Sequence, residues 1–400
     1  MSCTVHPSIE TVGTCEYCGQ PHCAHCLQPL LGRRYCPGCY ARVAGIARLP
    51  SAGRGPGGAP VTAPRESAPT RARLPGWASV LLYLIGFVIL DTGVQFVLLA
   101  ALQIARLASG HPHPHSRATG LDLMDASGIG LPAWSLLFGF FGWLSLLLVV
   151  GYTALMSHGI ERRKLAELGL RWTRRVARDA ALGLALAMVL FVSVVGVGLS
   201  LGWYRLTAIS DPTSSLLTAV GGLLILLPFA AVEEVSMRGY VQHVGARSWG
   251  KWGGLLASSL VFAALHLLNP EIGKHPLAVV GLLLAGLYLG SAALITGDLW
   301  LAIFLHAGWN LMEGPFFGLP VSGMEVPTSI LRTSAPGADL LTGGTFGPEG
   351  GLVLCLLMAI HLAALWTVRP LLARRQDSGA HPPVPSPPVE LESYQATSTP

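Results

Sequence analysis

The sequence predicts an all-α polytopic membrane protein of about eight transmembrane helices, preceded by a small zinc-stabilised module. Three observations carry this. Only 12% of the 400 residues are Asp, Glu, Lys or Arg, about half the ~25% usual in globular domains. Apolar residues reach 52% and mean hydropathy is +0.55, so too few charges remain to coat a soluble surface of this size. Seven of the eight cysteines fall within residues 1–40.

The head, residues 1–40, carries its ligand-type residues in pairs: Cys3 with His6, Cys15 with Cys18, Cys23 with Cys26, and Cys36 with Cys39. A two-residue gap lets both members of a pair reach one tetrahedral zinc, so four pairs make two sites. A segment this short can hardly build a sufficient core unaided, and metal binding would supply its folding energy. His22 and His25 stand close enough to replace a neighbour as ligand. The competing reading is a disulfide cluster, which regular spacing and a reducing cytoplasmic location disfavour. Every coordination position would be filled, so these two zinc ions would be structural and the module's task would be to bind a protein partner.

Residues 41–74 are rich in Pro, Gly, Ala and Arg and read as a disordered linker. Residues 75–372 alternate apolar runs with short polar loops. Residues 373–400 contain PPVPSPPV and read as a disordered Pro-rich tail. The start, MSCTVHPSIE, lacks the basic-then-apolar pattern of a signal peptide.

A bilayer-spanning helix takes ~20 mostly apolar residues. Candidates lie near 77–105, 132–156, 179–203, 213–232, 253–268, 276–296, 299–319 and 351–369. The 26 basic residues fall in blocks between these runs, as topology signals do, so the net charge of +5 does not point to nucleic acid. With eight spans, the blocks at 33–73, 162–178, 238–251 and 369–375 share one face of the membrane. This predicts an integral membrane protein with both termini in the cytoplasm, in the plasma or inner membrane if the chain is bacterial.

An ionisable residue at membrane depth costs a few kcal/mol and needs a reason. Glu233 and Glu234 end a long apolar run, and Arg238 follows one helical turn after Glu234. His266 lies in SSLVFAALHLLNP; His306 and Asn310 lie in LWLAIFLHAGWN. Residues at i and i+4 share a helix face. Glu234 and Arg238 can therefore pair, while Glu233 points ~100° away. Phe262 shares a face with His266, and His306 with Asn310. Taken singly, each could be a hydrogen-bonded core residue or interhelical glue. Taken together, a carboxylate, two imidazoles and an amide could hold a water, deprotonate it and stabilise an oxyanion.

These strings, EEVSMR, FAALH and HAGWN, fit the patterns EExxxR, FxxxH and HxxxN. In this order they resemble the CAAX protease and bacteriocin-processing (CPBP) family of intramembrane proteases, related to type II CAAX prenyl endopeptidases. The head lies outside that likeness and resembles a B-box-type zinc finger. One departure is Val235-Ser236-Met237, where relatives often carry bulkier aromatic residues.

The first resemblance implies Glu233 as the base that activates water and His266 as its positioner. It implies His306 and Asn310 as stabilisers of the oxyanion, Glu234 and Arg238 as a structural pair, and Phe262 as a pocket wall. The Glu/His/His set leaves open both zinc and metal-free catalysis. The cavity is expected to open toward the cytoplasm, and the substrate to be a membrane protein or peptide. The second resemblance implies that Cys3, His6, Cys23 and Cys26 share one ion and Cys15, Cys18, Cys36 and Cys39 the other. Two further readings stay open: a non-catalytic membrane scaffold or immunity protein recruiting its partner through the zinc module, and a proton-relay transporter.

Weaker signals complete the reading. His111, His113 and His115 are read as a Pro-spaced loop. Asp91, with Gln95 one turn on, lies inside the first helix and is expected to hydrogen-bond within the bundle, with no catalytic role. Glu313 is expected at the cavity edge, Glu349 as a cap of the last helix, and residues 320–350 as a segment folded over the bundle.

Overall fold

Apolar stretches almost free of charge must satisfy their backbone internally once out of water, which favours helices. The computed structural model describes residues 3, 10–16, 20–30, 33–36, 40, 74–109, 131–209, 212–326 and 328–372. The chain divides into two units, Met1–Ala68 and Pro69–Pro400.

The second unit is an all-α polytopic membrane bundle. Its helices are α1 (Gly76–Ser109), α2 (Leu131–Met156), α3 (Val176–Ser200), α4 (Pro212–Glu234), α5 (His243–Leu265), α6 (Leu277–Thr296), α7 (Trp300–Leu311) and α8 (Leu352–Thr367). Each stands where the sequence placed a span. Among the described residues, five helical tracts are long and apolar enough to cross a membrane, with α8 a shorter apolar helix. The count falls from eight because one tract of 54 residues, Ser215–Leu268, runs from α4 through α5, and because α7, of 12 residues, and α8, of 16, are short.

The sequence reading ended the fourth span near 232 and placed Arg238 one helical turn beyond Glu234, without foreseeing wider turns. Residues Val235–Gln242 continue instead as π-helical turns, all eight of them buried. Three of their polar side chains, those of Ser236, Arg238 and Gln242, find partners inside the bundle. Arg238 binds Glu234, Gln242 donates to the Gly290 carbonyl at 3.0 Å, and Tyr83 donates to Ser236 at 3.2 Å. A straight helix of that length would span ~80 Å, more than twice the hydrocarbon core. Gly250, at φ 70° and ψ 171°, breaks the tract; a side chain there would be strained.

Helix α7 carries His306 and packs most intimately on α3. A Cβ at Gly183 would stand 2.6 Å from the Leu305 nitrogen and 2.8 Å from the Leu301 oxygen. Only glycine permits this approach, the small-residue contact typical of membrane helices. Phe191 closes the same interface edge-on against Trp309, with centroids 5.2 Å apart.

Between α7 and α8 the chain folds over one end of the bundle, as expected for 320–350. An element outside the sequence reading pins it. Strand β5 (Arg205–Ile209), after α3, pairs antiparallel with β6 (Leu331–Ser334), with a bulge between Leu206 and Ala208. Asn269 donates to the Ser322 carbonyl at 3.1 Å and Thr345 to Glu271 at 2.7 Å, tying this cap to the segment after α5.

The first unit holds two short hairpins, Gly13–Thr14 with Pro21–His22 and Gln28–Leu30 with Arg33–Tyr35. Its apolar core is small: Cys15, Leu27 and Tyr35 in one cluster, and Cys3, Cys23 and Cys26 in another.

Candidate functional site

The π-helical turns that begin after Glu234 bring both glutamates and Arg238 to bear on α5, α6 and α7. Glu234 and Arg238 are fully buried and lie 3.0 Å apart. A second guanidinium nitrogen donates to the Gly286 carbonyl on α6 at 3.2 Å, and the Arg238 carbon sits 4.5 Å from the centroid of the Phe262 ring. The charge is thus held by a carboxylate, a carbonyl and a π face at once, as a buried charge requires. The same Glu234 oxygen accepts from His306 Nδ1 at 2.9 Å.

His266 is fixed by its own helix. Its Nδ1 lies 2.8 Å from the Phe262 carbonyl. A carbonyl only accepts, so this nitrogen carries the proton. In His306 the carboxylate of Glu234 imposes the same choice. Both rings therefore turn Nε2 toward one point, and Glu233 occupies it. Its Oε2 stands 3.9 Å from each Nε2. That is too far for a direct hydrogen bond and suits a water ~2.8 Å from its partners. Glu233 Oε2 has no hydrogen-bond partner among the described residues. The Glu233 side chain keeps 34% of its surface, against 14% for His266 and 9% for His306. The Glu233 side chain is the most accessible of the three, while its Oε2 is buried between the imidazoles. Phe262 packs against both rings, at 4.5 Å from His266 and 6.0 Å from His306. Asn310, half-buried, lies one turn beyond His306 on α7.

The donor set of one carboxylate and two imidazoles is of a kind that binds zinc. Among the described residues, however, the set of three whose ligand atoms all lie within 4.8 Å of one another is Cys3, His22 and Cys26. Glu233, His266 and His306 are more open than that.

In the head, Cys3 Sγ lies 3.8 Å from Cys26 Sγ and 4.0 Å from His22 Nδ1. Two sulfurs each ~2.3 Å from a tetrahedral ion stand ~3.8 Å apart, so this group could bind a metal. Cys23 packs with Cys3 and Cys26. Apart from these, the Cys36 amide donates to Cys15 Sγ at 3.3 Å, a contact that favours a thiolate. His6, Cys18 and Cys39 lie outside the described residues, as do His111, His113, His115, the linker and the tail beyond 372.

Sequence reasoning missed a second buried carboxylate cluster on the far side of Asn310. Trp309 Nε1 donates to Glu313 Oε2 at 3.1 Å and to Glu349 Oε1 at 3.0 Å, and Ser322 Oγ donates to the other Glu349 oxygen. Glu349 does not cap α8, whose start has no side-chain cap. Burial raises its carboxyl above the usual range, opposed by the Ser322 hydrogen bond. Glu313 is completely buried rather than at a cavity edge. Trp309 and Glu313 are an i,i+4 pair, which the sequence did display; the arrival of Glu349 depends on the cap and left no local trace. Asp91 does accept from Gln95, at 2.7 Å.

Residues 213–312 match the family model described as type II CAAX prenyl endopeptidase Rce1-like. The matched segment is about a quarter of the chain, contains Glu233 through Asn310, and excludes the head. No curated protein and no solved structure matches the chain.

Proposed function

We propose that this protein is an intramembrane endopeptidase that cleaves a membrane-associated protein or peptide by attack of a Glu233-activated water. The observation that carries it is the position of Glu233 Oε2, buried without a hydrogen-bond partner among the described residues and 3.9 Å from two imidazole Nε2 atoms whose other nitrogens are fixed.

In this reading a water sits between Glu233 and His266, with its lone pair toward the substrate. Glu233 accepts the water proton as the oxygen adds to the carbonyl carbon. The negative charge moves to the carbonyl oxygen. His306, when Nε2 carries a proton, and the Asn310 amide donate to that oxyanion. Glu233 then returns the proton to the leaving amine as the C–N bond breaks. Glu234 and Arg238 touch no reacting atom; they orient His306 and hold π-helical turns in place. Phe262 walls the site and keeps both rings upright. The cavity opens toward the face of the basic loops, the cytoplasm, where both termini also lie.

The head, in the same reading, is a zinc module of B-box type with two structural ions. Cys3, His6, Cys23 and Cys26 hold one, with His22 as an alternative ligand. Cys15, Cys18, Cys36 and Cys39 hold the other. The module recruits a protein partner and takes no part in hydrolysis.

The test compares newly formed protein N-termini in membranes carrying wild type or Glu233→Gln at equal levels. Peptides found only with wild type are the expected result and name the substrates. Cleavage that survives Glu233→Gln refutes the mechanism.

A further inference from the structure

A cleft of about 430 Å³ lies where three helix ends meet, between the first turn of α5 after Gly250, the last turn of α6 and the end of α8. Its floor is Leu294 and Ile295, and its rim is Lys251, Trp366, Arg369 and Pro370.

The rim is built as a ladder. Lys251 Nζ lies 5.2 Å from the Trp252 ring centroid, Trp252 and Trp366 lie 5.1 Å apart, and the Arg369 guanidinium carbon lies 5.8 Å from Trp366. Each cation thus lies against one of two indoles in tilted contact, their planes 43° apart. Trp366 is locked by donating to Ser291 Oγ at 3.2 Å. The turn that carries Arg369 is anchored by Arg178, which donates to the Leu371 carbonyl at 3.1 Å.

Other basic residues near these helix ends spend their hydrogen bonds within the protein. Arg247 pairs with Glu161 at 2.6 Å, Arg171 with Asp298 at 3.2 Å, and Arg163 meets His243 at 3.0 Å. Among the described residues, neither Lys251 nor Arg369 has a carboxylate within 4.0 Å. Both spend their charge on indole faces and on the open cleft. An apolar floor below, indoles at the level of helix ends and two unneutralised cations above match a lipid: acyl chain, interface and anionic headgroup in that order.

We propose that this cleft binds one anionic phospholipid, its phosphodiester held between Lys251 and Arg369 and its upper acyl chain on Leu294 and Ile295. The site lies outside the Glu233 centre, so it stands or falls independently of the proteolytic reading.

The test uses the full-length protein in detergent, titrated with phosphatidylglycerol or phosphatidylcholine and followed by native mass spectrometry. Wild type is expected to retain one phosphatidylglycerol in preference to phosphatidylcholine. Lys251→Gln/Arg369→Gln should bind it about 25-fold more weakly, and Lys251→Arg/Arg369→Lys should restore it. Equal retention of both lipids by wild type overturns the proposal, as does a preference that survives the Gln pair. Should the Gln pair not fold, the wild-type arms decide. The lipid reading expects phosphatidylglycerol retention to fall with ionic strength and to resist excess inorganic phosphate. Full displacement by phosphate, with phosphate bound when lipid is absent, marks a free-anion site and refutes the lipid.

Discussion

In the head, Cys3, His22 and Cys26 bring their ligand atoms within 4.8 Å of one another around almost no apolar core. In the bundle, Glu233 stands 3.9 Å from each of two imidazoles, while Glu234, Arg238 and Phe262 pack tightly behind them. Both regions gather residues that dislike burial. The head gathers them so that the ligands themselves can hold the fold through a shared ion. The bundle pairs Glu234 with Arg238 and His306 and leaves Glu233 Oε2 without a hydrogen-bond partner among the described residues. Closed coordination favours structure, and an unfilled gap favours reaction.

The largest effect should come from attacking the head's means of support. If the proposed zinc supplies the head's folding energy, chelation or Cys26→Ser should remove it and unfold the head. Elemental analysis and limited proteolysis of residues 1–40 check this. An untouched bundle in the same sample would sharpen the contrast.

The bundle should break next at Arg238. Arg238→Leu removes the guanidinium and leaves the buried Glu234 with His306 alone, a loss of about 3–5 kcal/mol, visible as a lowered thermal midpoint in detergent. Trp309→Phe should cost less, about 1–3 kcal/mol, since Glu313 and Glu349 lose one shared donor but Ser322 remains.

The smallest effect is expected at the cap. Hydrogen bonds from Lys274 and Thr345 hold the Glu271 carboxyl below the usual range. Its contribution is therefore present above the ordinary carboxylate pKa and fades as pH falls through the lowered value. Hydrogen exchange over residues 344–350 should quicken only toward that acidic limit, and Glu271→Gln should remove the pH dependence.

Much of the bundle was legible because its signals are local. Apolar run length located α1 to α8, and i,i+4 spacing paired Glu234 with Arg238 and Phe262 with His266. The long π-helical passage through Val235–Gln242 was not legible. The i,i+4 spacing showed a helical turn from Glu234 to Arg238 but not the wider turns, whose polar side chains meet Tyr83 and Gly290 on other helices. Pairing of β5 with β6, and of Glu349 with Trp309, joins residues 40 or more positions apart. Such contacts depend on the assembled fold and leave no pattern in a short window.

The account turns on a division of labour between adjacent glutamates, with Glu233 for chemistry and Glu234 for architecture. Purified Glu233→Gln should be assayed for cleavage and for thermal midpoint beside wild type and Glu234→Gln. The account predicts that Glu233→Gln loses about 10²–10⁴-fold in turnover at an unchanged midpoint, while Glu234→Gln lowers the midpoint. Turnover by Glu233→Gln at the wild-type rate would contradict it.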